Sequence, residues 1–157
     1  MRDYVLEYID GSDTARVDQW AAQLAGLTNQ FREYLLNLSP ESTMRVYDED
    51  GIREYAGANY GFVAARVDDR LVGSTWLVSS SEGTESYAFI MMVYVEPEYR
   101  DCGIGRAMIE RAEAILRERG CTSVELEIAV YNIHVAGFYE RMGYSPNRVV
   151  NSKSLVA

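Results

Sequence analysis

The sequence predicts an α/β fold of the α+β kind: one domain over residues 1–157, with helices flanking a mixed, mostly antiparallel sheet. Three observations lead there. Short alternating segments follow one another up to Val95, and the apolar run YAFIMMVYV (Tyr87 to Val95) is stopped by Pro97. Beyond it the apolar spacing changes from strand-like to helical and back. A chain of 157 residues fills one ordinary core and is too short for two comfortable ones.

The elements follow in order. YVLEYI (Tyr4 to Ile9) alternates as a first strand, and Ser12 or Asp13 offers a helix N-cap. Two amphipathic helices are predicted, around Ala15 to Leu24 and around Asn29 to Leu38, then a loop and a short helix near Glu49 to Ala56. YGFVAARVDDRLVGSTWLVSSS predicts a hairpin turning at Asp68-Asp69, and ESYAFIMMVYVEPEY a third long strand. Ile104, Met108, Ala112, Ile115 and Leu116 share one helix face, with Gly120 closing the helix. In TSVELEIAV, Val124, Leu126, Ile128 and Val130 alternate with Glu125 and Glu127, giving a half-buried strand. A helix from about Ile133 to Arg141 ends at Gly143, and NRVVNSKSLV predicts a final strand. The strand–helix–strand order makes the last pairing parallel.

Composition narrows the function. With 48% hydrophobic and 25% charged residues the chain reads as globular. MRDYVLEYIDGSD has no secretion-signal pattern, so a cytoplasmic location is expected. The longest apolar run is about half of the roughly 20 residues that a membrane helix needs, so no membrane partner is expected. A net charge of −9 repels nucleic acid and favours a cationic small molecule or a basic peptide. Cys102 and Cys121 would stand at opposite ends of a helix, roughly 25 Å apart, too far for a disulfide. With His134 the single histidine, no metal site is expected, and surface capping is its simplest role.

YRDCGIGRA (Tyr99 to Ala107) sets Gly103 and Gly105 between a strand and a helix, with an arginine on each side. A dinucleotide turn wants a third glycine where Met108 stands, and an acid at the end of the next strand. Glu125 and Glu127 lie inside that strand instead. The pattern is otherwise suited to phosphate. Glycines there permit φ > 0 and leave no Cβ in the way, and N–H groups ahead of a helix form an anion nest. Arg100 and Arg106 add local positive charge.

A long strand, then Arg100-x-x-Gly103-x-Gly105, then an amphipathic helix resembles the acyl-CoA-binding signature of the GNAT superfamily of N-acetyltransferases. AVYNIHVAGFYERMGY resembles that family's second segment, with Asn132 seven residues before Tyr139 and Val135 where alanine is common. The resemblance is specific from about Tyr87 to Tyr144. It implies a GNAT-like domain with a splayed parallel strand pair, and direct acetyl transfer from acetyl-CoA to an amine. It also implies a cofactor-binding set. Val93, Tyr94 and Val95 belong to it on the splayed strand, and Arg100, Asp101, Cys102, Gly103, Ile104, Gly105 and Arg106 in the loop. Asn132 completes the set, and Tyr139 is the implied catalytic residue beside the departing thiolate. Cys102 is a candidate reactive thiol, or simply the occupant of a variable loop position.

Some relatives carry a glutamate base on the strand where this chain has Phe89; Glu82, Glu85 and Glu96 are the nearest acids. Phe89 therefore keeps a second reading in view, a catalytically silent acyl-CoA-binding or regulatory module. On the acceptor side, Asp48, Glu49, Asp50, Glu54, Glu82 and Glu85 neighbour Tyr47, Tyr55 and Tyr87, which suits a small or peptide cationic amine. The oligomeric state is open between monomer and homodimer.

Overall fold

The computed structural model describes residues 3–40, 44–82 and 85–156. Residues up to Glu127 form one compact unit and those from Ile128 a second. In the first unit β1 (Val5–Asp10), β2 (Tyr60–Val67), β3 (Arg70–Glu82) and β4 (Glu85–Val95) make an antiparallel meander. The short β5 (Glu125–Leu126) adds to β4 in parallel, giving the order β1-β2-β3-β4-β5. The predicted hairpin turn is present, with Asp68 at φ 52°.

Ile9, Phe62, Trp76 and Met92 fall opposite one another across four strands. They belong to one buried cluster with Val17, Trp20, Ala21 and Leu24 of α1 (Thr14–Leu38), and Ile52 of α2 (Glu49–Tyr55). Helix α3 (Ile104–Glu118) packs on β2, β3 and β4, burying the five predicted residues and Ile109. A Cβ added to Gly73 would lie 3.3 Å from Met108 Cε, so that glycine gives α3 its close approach to the sheet.

Three expectations are corrected. The two N-terminal helices are one 25-residue helix, α1, capped by Asp13. Gly26 costs only its weak helix propensity, about 1 kcal/mol against alanine. Buried Leu24, Ala25, Leu27 and Thr28 bracket it, and Thr28 Oγ1 donates to the Leu24 carbonyl at 2.8 Å. The predicted fifth strand is paired only at Glu125 and Leu126, and Val130 is exposed. NRVVNSKSLV forms no strand: Val149, Val150, Leu155 and Val156 are all exposed and pair with no described strand. Strand propensity without a partner for its N–H and C=O groups does not make a strand.

In the second unit, turns over residues 130–135 lead to α4 (Ala136–Arg141), which starts three residues later than its apolar spacing suggests. Ile133 is exposed and adds nothing to a helix face there.

Candidate active site

The glycine turn is built from backbone. After β4 a 3-10 turn over Pro97–Tyr99 points the chain toward α3. Asp101 takes φ 61° and Gly103 φ 87°, two left-handed residues one apart. For Asp101 that region costs about 1 kcal/mol, a strain typical of functional loops. Gly105 does not have positive φ and lies in the first turn of α3, so only Gly103 uses the freedom expected of both glycines. A Cβ on Gly103 would meet no protein atom within 4 Å. The first bond into the helix runs from Ala107 N–H to the Gly103 carbonyl at 3.0 Å. Among the described residues, no backbone carbonyl takes the N–H groups of Asp101, Cys102, Gly103, Ile104, Gly105 or Arg106. These donors sit at the positive end of a 15-residue helix, a donor set that fits a diphosphate.

The loop's side chains brace it. Arg100 donates Nε to the Val95 carbonyl at 2.7 Å, with its guanidinium 5.3 and 5.5 Å from the Tyr94 and Tyr34 ring centroids. Cys102, exposed and in no disulfide, donates Sγ to the Tyr99 carbonyl at 2.9 Å. Arg106 pairs with Glu110 at 2.8 Å one turn on. Ile104 is buried under the helix start.

β4 changes behaviour at its middle. The register passes from Trp76↔Met92 to Leu77↔Ile90, which leaves Met91 unopposed as a bulge. Buried Thr75 donates its hydroxyl to the Met92 carbonyl beside the bulge. The β5 ladder stops at Ile90, so among the described residues Val93, Tyr94 and Val95 pair with β3 alone. The Tyr94 side chain is buried in the α1-side cluster and bonds Gln30 at 3.3 Å, which leaves its backbone as the group available to a ligand.

In the second unit Tyr139 is fixed by the way α4 ends. Gly143, at φ 92°, donates to the Glu140 carbonyl, and Tyr144 N–H to the Tyr139 carbonyl at 3.0 Å. This is a Schellman closure, and the rings of Tyr139 and Tyr144 make the matching apolar contact at 5.8 Å. The ERMGY ending thus sets the Tyr139 ring. Burial pushes its phenol up to about 12. Asn132 is buried in the turn before α4, its N–H on the Ala129 carbonyl at 2.8 Å. His134 is exposed in the same turn.

The acidic segment is largely occupied. Asp48 caps α2 through Gly51 N–H at 2.8 Å. Glu49 and Asp50 share Arg53 with Asp18, while Glu54 faces Arg45 at 3.7 Å. Glu96 is held by Arg70 at 2.7 Å. Phe89 stacks on Tyr87 at 6.2 Å and stands opposite Glu125. The side chains of Glu82 and Glu85 lie outside the described residues. The sequence suggests Tyr47 and Tyr55 as cation-binding rings but not that Arg45 occupies them, and it signals neither the bulge nor the left-handed Asp101. Met91-Met92 lies in an unbroken apolar run, which hides a bulge.

Among the described residues no helix is long and apolar enough to cross a membrane, and no group of three or more His, Cys, Asp or Glu is placed to hold a metal.

Residues 24–144 match the model of the acetyltransferase (GNAT) family. An uncharacterized N-acetyltransferase of Methanocaldococcus jannaschii is 36% identical over 105 residues, covering 66% of this chain and 42% of that protein. An aminoglycoside acetyltransferase from an uncultured soil metagenomic sample, solved with trehalose, superposes with a TM-score of 0.74 at 16% identity, covering 98% of this chain and 97% of that one. An aminoglycoside N-acetyltransferase solved with CoA gives a TM-score of 0.68 at 12% identity, covering 99% and 97%. These two likenesses speak for the fold, whereas the family match spans most of the chain and includes both the glycine turn and Tyr139. The family match covers well over half of the sequence, and this chain belongs to the GNAT acetyltransferase family.

Proposed function

We propose that residues 1–157 act as one acyltransferase domain that moves an acetyl group from acetyl-CoA to a primary amine. The observation that carries this reading is the run of N–H groups from Asp101 to Arg106 without backbone partners, shaped by positive φ at Asp101 and Gly103. In the reaction the amine nitrogen bonds to the thioester carbonyl carbon, the C–S bond breaks, and the proton lost by the amine balances the thiolate. The loop N–H groups hold the diphosphate of CoA, with Val93, Tyr94 and Val95 beside the pantetheine arm and Asn132 as a further contact. Tyr139 serves the leaving thiolate as a hydrogen-bond donor. A phenol at about 12 against a thiol near 8.5 makes full proton transfer uphill by roughly 5 kcal/mol, so the hydrogen bond does the stabilising.

The acceptor proposed is a cationic amine: a small polyamine-like molecule, or a lysine or N-terminal amine in a basic context. Around α2 the carboxylates of Asp18, Glu49, Asp50 and Glu54 pair with two guanidiniums, of Arg45 and Arg53, and Asp48 adds a fifth carboxylate as the helix cap, in a chain of net charge −9. Solved neighbours named as aminoglycoside acetyltransferases are in line with a small amine. Phe89 in place of a carboxylate favours one competing reading, a silent acyl-CoA-binding module.

Thiol release from acetyl-CoA across an amine panel, with calorimetric CoA binding alongside, tests the proposal. Turnover with a cationic amine is the expected result. Tight CoA binding with no turnover of any amine selects the silent module. Absence of CoA binding overturns both.

A further inference from the structure

The Arg45 guanidinium lies 4.7 Å from the centroid of the Tyr47 ring and 4.8 Å from that of Tyr55. The two rings are 5.9 Å apart and inclined by 58°, so they form a corner rather than a stack. Both rest on Trp76, at 5.1 and 6.0 Å, and Trp76 lies opposite Met92 at the β4 bulge. An aromatic corner with carboxylates at its mouth is a seat for an organic cation, and here a cation of the chain itself fills it.

Arg45 also has a side-chain hydrogen bond with Tyr47, one of the two rings it lies on, but its ion pair is loose. Its side chain is 49% exposed, Glu54 is 73% exposed, and their closest approach is 3.7 Å. Pairs of that kind add little stability. Arg53 nearby, with three carboxylate partners at 2.7 to 3.2 Å, shows what a firmly held arginine in this region looks like. Arg45 also lines an open cleft of about 270 Å³ together with Asp48, Asp50 and Glu54. Arg45 thus touches both the two rings and the carboxylate-lined cleft, and moving it away leaves the local charge more negative by one.

We propose that Arg45 is a resident cation in the acceptor seat and a specificity-determining residue: a cationic acceptor displaces it from Tyr47 and Tyr55. An acceptor without a second positive charge gains nothing by the exchange. This rests on the cationic acceptor proposed above.

The test uses three amines of one length, 1,4-diaminobutane, 4-amino-1-butanol and 4-aminobutanoate, with the unaltered chain, Arg45→Ala and Arg45→Gln. Steady-state KM is measured with acetyl-CoA, and direct binding by calorimetry with CoA present. Both variants should tighten the diamine threefold to tenfold and 4-amino-1-butanol less than twofold. Adding Tyr55→Ala to Arg45→Ala should erase the gain. If the unaltered chain ranks the diamine first but neither variant tightens it, the Arg45 inference fails and the cationic acceptor stands. If the unaltered chain prefers 4-aminobutanoate and Arg45→Ala abolishes that preference, Arg45 recognises an anion, and both proposals fall. If the diamine does not rank first and Arg45→Ala changes nothing, both fall as well.

Discussion

The turn before α3 and the ring corner before α2 both suit charged ligands, but they are made differently. The turn is a backbone device: its donors are N–H groups, and its shape is set by φ at Asp101 and Gly103. The corner is a side-chain device, with Tyr47, Tyr55 and Trp76 as walls and Arg45 as a resident. A backbone nest presents open donors whatever side chains surround it. A side-chain seat satisfies itself when it can, and its chemistry shows only when the occupant leaves.

The comparison can be broken most forcefully at Gly103. A β-branched residue there meets the left-handed penalty, so Gly103→Val should weaken CoA binding about tenfold to hundredfold while the fold persists. Calorimetry reads it, and affinity equal to the unaltered chain would assign the phosphate elsewhere. Next in size, Tyr139→Phe should lower kcat about tenfold to hundredfold with CoA affinity changed less than threefold, since its hydrogen bond matters most as thiolate charge develops. Unchanged turnover would leave Tyr139 a packing residue.

How much was legible follows the same division. The turn was readable because glycines at Gly103 and Gly105 after a long strand, and an Asn132-to-Tyr139 spacing, are local signals. Even so, the positive φ falls on Asp101 and Gly103, not on Gly105, because helix α3 has already begun at Ile104. The single long α1 was missed because tertiary burial on both sides of Gly26 outweighs a local breaker. The expected final strand does not form for the opposite reason: its propensity is local, but a strand is made by its partner. Arg45 on two tyrosines that rest on a tryptophan about thirty residues away has no periodicity to reveal it.

Two smaller effects sharpen the picture. Burial raises Tyr8, Tyr47, Tyr94 and Tyr139 above the ordinary phenol value, Tyr139 to about 12. Folded and unfolded chains both keep these protons below about pH 10. Above it the unfolded chain releases them first, so stability is full below that pH and declines as pH rises toward 12. Denaturant titrations at pH 9 and 11 should show the decline, and it should be smaller in Tyr139→Phe. An equal decline in that variant would contradict the burial of the phenol. Smallest of all, Asp101→Gly relieves the left-handed strain and should raise stability by about 0.5 kcal/mol with CoA affinity within threefold. A large loss of affinity would mean that the aspartate side chain, not its backbone, serves the ligand.

The most direct measurement follows the amide signals of Asp101 to Arg106 in isotope-labelled protein as either CoA or pantetheine, which lacks the diphosphate, is added. The backbone nest predicts that saturating CoA shifts these amides strongly and that pantetheine leaves them in place. Amides that stay unmoved at saturating CoA, or that move equally with pantetheine, would contradict it.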